Sequence, residues 1–294
     1  MILRLLTLIS FAFFADPILA SDHGQDPIQD PIAYKSVAAC SEALQTPPGS
    51  TSRELPDPLH LRSWNVMKFD LPGAQEELQR MSRDVDLVFL QETVRSTDHP
   101  PELQPHRYFS PGYARGSEAT GVEIRSKTAA DLSCEFTFTE PWLRTPKAVS
   151  AVRLPFREGA LLLINLHAIN FTLSSTDYRK QLAALSRLVK AHRGPVVVAG
   201  DFNHWNVWRA KALQAWALDL ELLEVGFEPD WRSRHLGSRV DAIFLRGLTA
   251  ISSAALPTTR SDHHAIAASL KLLKGSADPA ADNRAEVALP TPAH

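Results

Sequence analysis

Several features that would classify a chain quickly are scarce in this sequence. Lysine and arginine number 31 against 33 aspartates and glutamates, for a net charge of −2 and a pI near 6.6. No bulk field therefore draws the chain to nucleic acid, and any contact with a phosphate backbone must rest on a local basic patch. Long apolar runs are missing as well: Leu5 to Phe14 is too short to span a bilayer comfortably, and no other segment could cross one. Only two cysteines occur, Cys40 and Cys134, which leaves at most one intrachain bridge. No repeat of the solenoid kind is present. What is there, 44% hydrophobic and 22% charged residues over 294 positions, suits a soluble globular chain with a sizeable core.

The amino terminus reads as an export signal. Arg4 precedes the apolar run, and Ile18-Leu19-Ala20 closes it on a small residue before the polar Ser21-Asp22-His23. This predicts a signal peptide over 1–20 and a periplasmic or secreted mature chain. In an oxidising compartment Cys40 and Cys134 either form a bridge that staples the amino-terminal segment to the core or stay as free thiols. Residues 21–58 carry a tandem Gln-Asp-Pro-Ile and then Pro47-Pro48-Gly49-Ser50, and are expected to be a polar linker with room for a short helix between Tyr34 and Leu44. Residues 274–294, rich in Ala, Pro and Asp, are expected to be a disordered tail. The interval 59–273 is the expected folded domain.

Within that domain apolar β-like runs alternate with amphipathic stretches. Strands are predicted at Leu61 to Val66, Asp86 to Leu90, Val149 to Leu154, Leu161 to Leu166, Val196 to Ala199, Ala242 to Leu245 and Ile266 to Leu270. A helix is predicted through Tyr178, Leu182, Leu185, Leu188 and Val189, behind the capping candidates Ser174, Ser175 and Asp177, and a weaker one through Ala74, Leu78 and Met81.

Most of these strands end where a short polar motif begins: Trp64-Asn65, Gln91-Glu92, Asn165-Leu166-His167, Gly200-Asp201-Phe202-Asn203, Arg239-Val240-Asp241 and Ser261-Asp262-His263. Strand carboxyl ends are where open α/β folds build their sites, so six such ends with complementary chemistry point to one converged centre. Hydrolysis of a phosphodiester needs charge neutralised on the non-bridging oxygens, an aligned water and help for the leaving oxygen. Glu92 suits a hard divalent cation, and Asn65 offers either an oxygen ligand or a hydrogen bond that orients Glu92. Asp201 could orient or deprotonate water, and Asn203 could donate to the phosphoryl oxygen as charge develops. Asp241 and Asp262 beside His263 suggest one carboxylate that fixes an imidazole tautomer and a second near a metal. Lys68, Arg232, Arg234, His235 and Arg239 would bind a polyanion if they surround one cleft, and are otherwise a solvated surface. Trp205, Trp208 and Trp231 either stack on bases or form core, with helical spacing favouring core.

These motifs, in this order, resemble the endonuclease/exonuclease/phosphatase superfamily, which includes deoxyribonuclease I, abasic-site endonucleases, bacterial sphingomyelinases and inositol polyphosphate 5-phosphatases. The likeness covers about 215 residues, Leu59 to Leu273. Asn165-Leu166-His167-Ala168-Ile169-Asn170-Phe171 with Gly200-Asp201-Phe202-Asn203 and Ser261-Asp262-His263 is similar, more narrowly, to the bacterial YafD-like subgroup. The resemblance implies a four-layer α/β sandwich, with two mixed β-sheets packed face to face and helices outside.

It further implies that Asn65, Glu92 and Asp262 bind or organise Mg²⁺ or Mn²⁺, and that Asp201 and Asn203 position water and stabilise the transition state. Asp241 is implied to pair with His263, which contacts or protonates phosphate. His167 is implied to contact the scissile phosphate, with Asn170, Arg144 and Lys68 on the phosphate side. A carboxylate partner for His167 would have to come from Glu118 or Glu123, and the hydrophobic hairpin of sphingomyelinases is not evident in the sequence. The expectation is an exported, monomeric, metal-dependent phosphodiesterase with nucleic acid as leading substrate. A phosphatase or phospholipid phosphodiesterase is the alternative of the same kind, and a non-catalytic scaffold the alternative of another.

Overall fold

Leu161 to Ile164 and Val196 to Ala199 are apolar at successive rather than alternate positions, so strands built from them must be covered on both faces. The computed structural model, which describes residues 31, 33–49, 54–95, 103–115, 118–157, 159–172 and 175–273, covers them in that way. Its elements, in chain order, begin with β1 (Ala33–Tyr34), α1 (Val37–Leu44), β2 (Leu59–Asn65), a 3-10 turn (Met67–Phe69), α2 (Ala74–Ser82) and β3 (Leu87–Val94). There follow β4 (His106–Arg115), β5 (Glu118–Ser126), β6 (Leu132–Thr139), β7 (Pro146–Phe156), β8 (Gly159–His167), α3 (Thr176–Ala191), β9 (Val196–Asp201) and α4 (Val207–Asp219). The chain closes with β10 (Leu223–Glu224), β11 (Arg234–His235), β12 (Ser238–Arg239), β13 (Asp241–Arg246), β14 (Leu248–Leu256) and β15 (Ala265–Leu272). The segments read as export signal and tail lie outside the described residues. Among the described residues no helix is long and apolar enough to cross a membrane.

One sheet has seven strands in the order β1-β6-β7-β8-β9-β13-β10, the other six in the order β14-β15-β2-β3-β5-β4. Both are mixed, since β8 runs parallel to β9 and β2 to β3 while their other neighbours in the sheets are antiparallel. Leu161, Leu163, Val197 and Ala199 meet Leu59, Leu61, Leu87, Phe89 and Ile266 in the layer between the sheets. The alternate residues Leu162, Ile164, Val196 and Val198 pack with Tyr178, Leu182, Leu185, Leu213 and Trp216 of α3 and α4. On the other side Trp64, Val88 and Leu90 lie against Ala74 and Leu78 of α2. The result is the expected four layers, helix on sheet on sheet on helix.

Part of the stretch read as linker is built into this fold. Cys40, Ala43 and Leu44 of α1 are buried in the cluster that also holds α3, and Cys40 is bonded to Cys134 of β6. The bridge joins positions 94 residues apart, which in the chain-entropy account stabilises by about 4–5 kcal/mol. Arg153 holds the next residues by donating to the carbonyls of Leu44, Thr46 and Pro47 while paired with Asp131. Composition alone misses this docking because it comes from one covalent bond and one guanidinium rather than from a long apolar face.

Candidate active site

Two β-α-β crossovers aim their carboxyl ends at one point. In β2–α2–β3, Asn65 lies opposite Gln91, and in β8–α3–β9, His167 lies opposite Asp201. The second alignment needs Gly200, whose φ is +143° and at which a Cβ would sit 2.1 Å from the Leu166 carbonyl oxygen. In β3 the register shifts between Gln91 and Thr93, and Glu92 takes a positive φ of 51° at this bulge. Bulges re-aim side chains: Gln91 is buried, whereas Glu92 lines the cleft. The turn after Asn65 is strained too, with Met67, Lys68 and Phe69 at φ 46°, 57° and 60°. The Asn65 side chain holds it by accepting from the Met67 N–H.

The Oδ2 of Asp201 is the meeting point. Asn65 Nδ2 lies 3.3 Å away, His167 Nε2 3.5 Å and His263 Nε2 4.0 Å. The other oxygen, Oδ1, accepts from the backbone N–H of Asn203 at 3.0 Å, and the Asn203 amide donates to the Ala168 carbonyl. Asp241, the residue opposite Asp201 on β13, places its Oδ2 2.8 Å from His263 Nδ1. The His263 loop is fixed from below, since Ser261 Oγ donates to the Asn65 carbonyl and Trp64 Nε1 donates to that of His263. Asn65, His167, Asp201, Asn203, Asp241 and His263 are all buried, and Glu92 is partly exposed.

Charge is distributed unevenly across this cluster. Burial would raise the Glu92 carboxyl, but His167, Lys68 and Lys147 hold it down at about 2. Lys68 forms an ion pair with Glu92 and is held in its charged form by that carboxylate, Asp70 and Asp262. His167 is lowered to about 4 by burial and by Lys147, despite Asp201 and Glu92. Lys147 Nζ is 2.8 Å from His167 Nε2, and because an ammonium can only donate, the ring nitrogen accepts and the imidazole is neutral. His263 is the opposite case. Burial would lower it, yet Asp241, Asp201 and Asp262 raise it to about 10.

The structure thus brings together Asn65, Glu92, Lys68, His167, Asp201, Asn203, Asp241 and His263, with exposed Asp262 at the edge. Asn170 lies on the adjoining loop, its Oδ1 accepting from Trp205 Nε1 and its backbone N–H bonded to Glu140. Arg144 stands apart from the cluster. It is exposed in the turn before β7 and is not among the residues lining the cleft, and the cation that reaches His167 is Lys147, three positions on. Neither Glu118 nor Glu123 partners His167: Glu118 is exposed in the β4–β5 hairpin, and Glu123 is buried between Arg107 and Arg125. Trp208 and Trp231 are exposed rather than core, and only Trp205 is partly covered, beneath Arg209. The basic cluster before Asp241 is largely neutralised, with Arg232 and Arg239 both paired to Asp230 and Arg232 also to Glu224.

Several contributors carried no role in the sequence. Asn165 donates to the carbonyls of Leu90 and Glu123 in the facing sheet and accepts from Gln91, so polar bonds stitch the two sheets directly beneath the site. Both residues sit inside the motifs, next to the catalytic candidates, which was the only signal. Glu140 binds the backbone N–H groups of Asn170 and Phe171 and lies 4.0 Å from Lys147, and nothing in its sequence neighbourhood marks it.

The donor chemistry suits a hard divalent cation. Lys68 already places one positive charge beside the carboxylates of Glu92 and Asp262, where a metal would take carboxylate oxygens. Asn65 turns its N–H toward Glu92 and Asp201 and its oxygen toward the Met67 N–H.

Two mixed sheets that converge carboxylates, amides and imidazoles on paired strand ends define a deoxyribonuclease I-like fold, a class whose members are typically hydrolases of phosphoester bonds. The profile of the Endonuclease/Exonuclease/phosphatase family matches residues 63–263, and the chain belongs to that family. A UPF0294 protein of Vibrio parahaemolyticus is 38% identical over 73% of this chain and 78% of its own length. An endonuclease/exonuclease/phosphatase from Beutenbergia cavernae superposes with a TM-score of 0.59 at 18% identity, over 74% of this chain and 72% of that one. Beta toxin from Staphylococcus aureus with bound magnesium ions gives 0.55 at 14%, over 72% and 99%. TDP2 of D. rerio complexed with single-strand DNA product gives 0.52 at 20%, over 72% and 98%.

Proposed function

We propose that this chain is an exported, monomeric, divalent-metal-dependent phosphodiester hydrolase with nucleic acid as its substrate and Mg²⁺ or Mn²⁺ as its ion. The observation that carries this reading is the convergence of Asn65, His167 and His263 on one carboxylate oxygen of Asp201, beside Glu92. A bound ion, held by Glu92 with Asp262 near it, would neutralise charge on the phosphate oxygens. Asp201 orients water and takes its proton, and its geometry is fixed by the Asn203 N–H. Neutral His167 with Lys147, and the Asn203 amide, contact the phosphoryl oxygens. His263, an imidazolium held by Asp241, binds the phosphate and supplies the proton to the leaving oxygen. The neighbours in the magnesium-bound and DNA-product structures support the choice of ion and substrate.

A second reading has its own observation. Trp142 and Leu143, 59% and 60% exposed at the tip of the β6–β7 turn, give the site's rim an apolar prominence that would suit a phospholipid surface. Cleavage by the mature protein of plasmid DNA, single-stranded DNA, RNA, sphingomyelin and a small chromogenic diester, with Mg²⁺ or EDTA and beside His263→Ala and Asp201→Ala, tests both. Metal-dependent nicking of DNA that both variants lose is the expected result. Cleavage of lipid alone would replace nucleic acid with the second reading, and silence across the panel would remove the hydrolase reading.

A further inference from the structure

A second cluster of metal-ligand type lies at the far edge of the site. One ring nitrogen each of His235 and His263 and a carboxylate oxygen of Asp262 all lie within 4.8 Å of one another. The two imidazoles are stacked, with centroids 4.3 Å apart and planes 26° from parallel. His263 has its Nδ1 committed to Asp241, which leaves Nε2 as the ligand atom, the carboxylate-histidine arrangement that orients metal-binding imidazoles. His235 Nε2 is screened from solvent and has no hydrogen-bond partner among the described residues.

His235 belongs to the two-stranded β11–β12 ribbon, outside both main sheets, and the ribbon is tied to the His263 loop. The His264 N–H donates to Ser233 Oγ at 2.7 Å, and His264 Nδ1 is 2.7 Å from the Trp231 carbonyl oxygen. Ser238 Oγ donates to the Trp205 carbonyl on the other flank. The local charge favours a cation, since Asp262 belongs to the cluster and the carboxylate oxygens of Asp241 and Asp201 lie 2.8 and 4.0 Å from the His263 ring nitrogens. Asp262 is exposed and His235 partly so, which leaves a route from solvent.

We propose that His235, Asp262 and His263 form a second metal site that takes a borderline divalent transition-metal ion of the zinc class. Two imidazole nitrogens and one carboxylate oxygen are the donors such ions prefer over the all-oxygen set that suits Mg²⁺. Drawing the three ligand atoms from their present spacing to the roughly 3.3 Å of a tetrahedral site with bonds near 2.0–2.1 Å needs only side-chain rotation and small movement of the ribbon. A metal here displaces the Nε2 proton of His263, which leaves to solvent, and so withdraws that imidazole from phosphate. This last consequence rests on the proposed hydrolysis, whereas the binding does not.

Calorimetric titration of the metal-stripped, full-length mature protein with Zn²⁺, beside His235→Ala and Glu92→Gln, tests the assignment. The wild type and E92Q should bind with similar affinity, and H235A should lose at least tenfold, with circular dichroism and Tm confirming its fold. His235→Cys should restore tight binding and, with Co²⁺, give a sulfur-to-cobalt charge-transfer band. Equal affinity in H235A and wild type, loss confined to E92Q, or no Zn²⁺ binding by the wild type would each overturn the site. In the hydrolysis assay micromolar Zn²⁺ should inhibit the Mg²⁺-supported wild type, with at least tenfold more needed for H235A. An inactive wild type that still binds Zn²⁺ through His235 would remove the proposed function and leave this site standing.

Discussion

His167 and His263 flank the same Asp201 oxygen at 3.5 and 4.0 Å, yet one is held near pKa 4 and the other near 10. The rings are equally buried, so desolvation does not separate them. What differs is the other neighbour of each ring: for His167 the Lys147 ammonium, on the same Nε2 that faces Asp201, and for His263 the Asp241 carboxylate, on Nδ1. One histidine is thereby kept neutral and the other protonated on either side of one carboxylate. Two like side chains pushed apart in this way give one cleft a neutral and a charged imidazole at the same pH.

The largest effect should come from removing the group the two histidines share. Asp201→Asn is expected to lower kcat roughly 10⁴-fold, because it removes the base while an amide oxygen remains to accept the Asn203 N–H. Steady-state kinetics with circular dichroism checks it, and a variant within tenfold of wild type would detach Asp201 from the reaction. Asp241→Asn breaks the comparison on the His263 side, and a fall in kcat of roughly 10³-fold is expected. The pH–rate profile should show it most plainly, with the basic limb moving from about pH 10 toward neutrality. The sign for stability is the same: a raised pKa contributes fully below the ordinary histidine value of 6.5 and is lost as pH rises through about 10. Denaturant midpoints measured between pH 7 and 10.5 should fall in the wild type and stay flatter in D241N.

Lys147→Met breaks the other side. It should let His167 rise from about 4, moving the acidic limb upward, and cost roughly 10-fold to 10²-fold in kcat. Arg144→Ala, three residues away and exposed, should change kcat/KM by less than about twofold. A larger loss in R144A than in K147M would reverse the assignment made from the structure.

The difference between Lys147 and Arg144 also shows where the sequence stops being legible. The strand ends that carry Asn65, Glu92, His167, Asp201 and Asp241 are legible because β3, β8, β9 and β13 hold unbroken apolar runs that must be buried on both faces, and β2 alternates Leu59 and Leu61 with polar residues. The strands β4, β5, β6 and β14 went unread because they carry interruptions or sparse β-branched content: Pro111 and Gly112 at a register shift in β4, and Ser252-Ser253 beside another in β14. Helix α4 was missed because apolar residues surround it, with Val207, Trp208 and Leu218 exposed and Leu213 and Trp216 buried. Lys147 enters the site through the pairing of Val149 with Leu166 across β7 and β8, a register that no local pattern states. The Cys40–Cys134 bridge was undecidable for the same reason, since spacing does not fix which distant strands become neighbours.

The pairing of Asp201 with His167 on one side and Asp241 on the other has a consequence for how this site can vary. Because side chains alternate faces, adding one residue within β9 would put Gly200, and removing one would put Phe202, where Asp201 stands and turn the carboxylate toward the helices. The connections are under no such restriction, because a loop of any workable length returns the same strand to the same neighbour. A change of length is therefore felt in steps of one residue at these strands and hardly at all at the turns, so the rim and the ribbon can be rebuilt without moving Asp201 relative to His167 and Asp241.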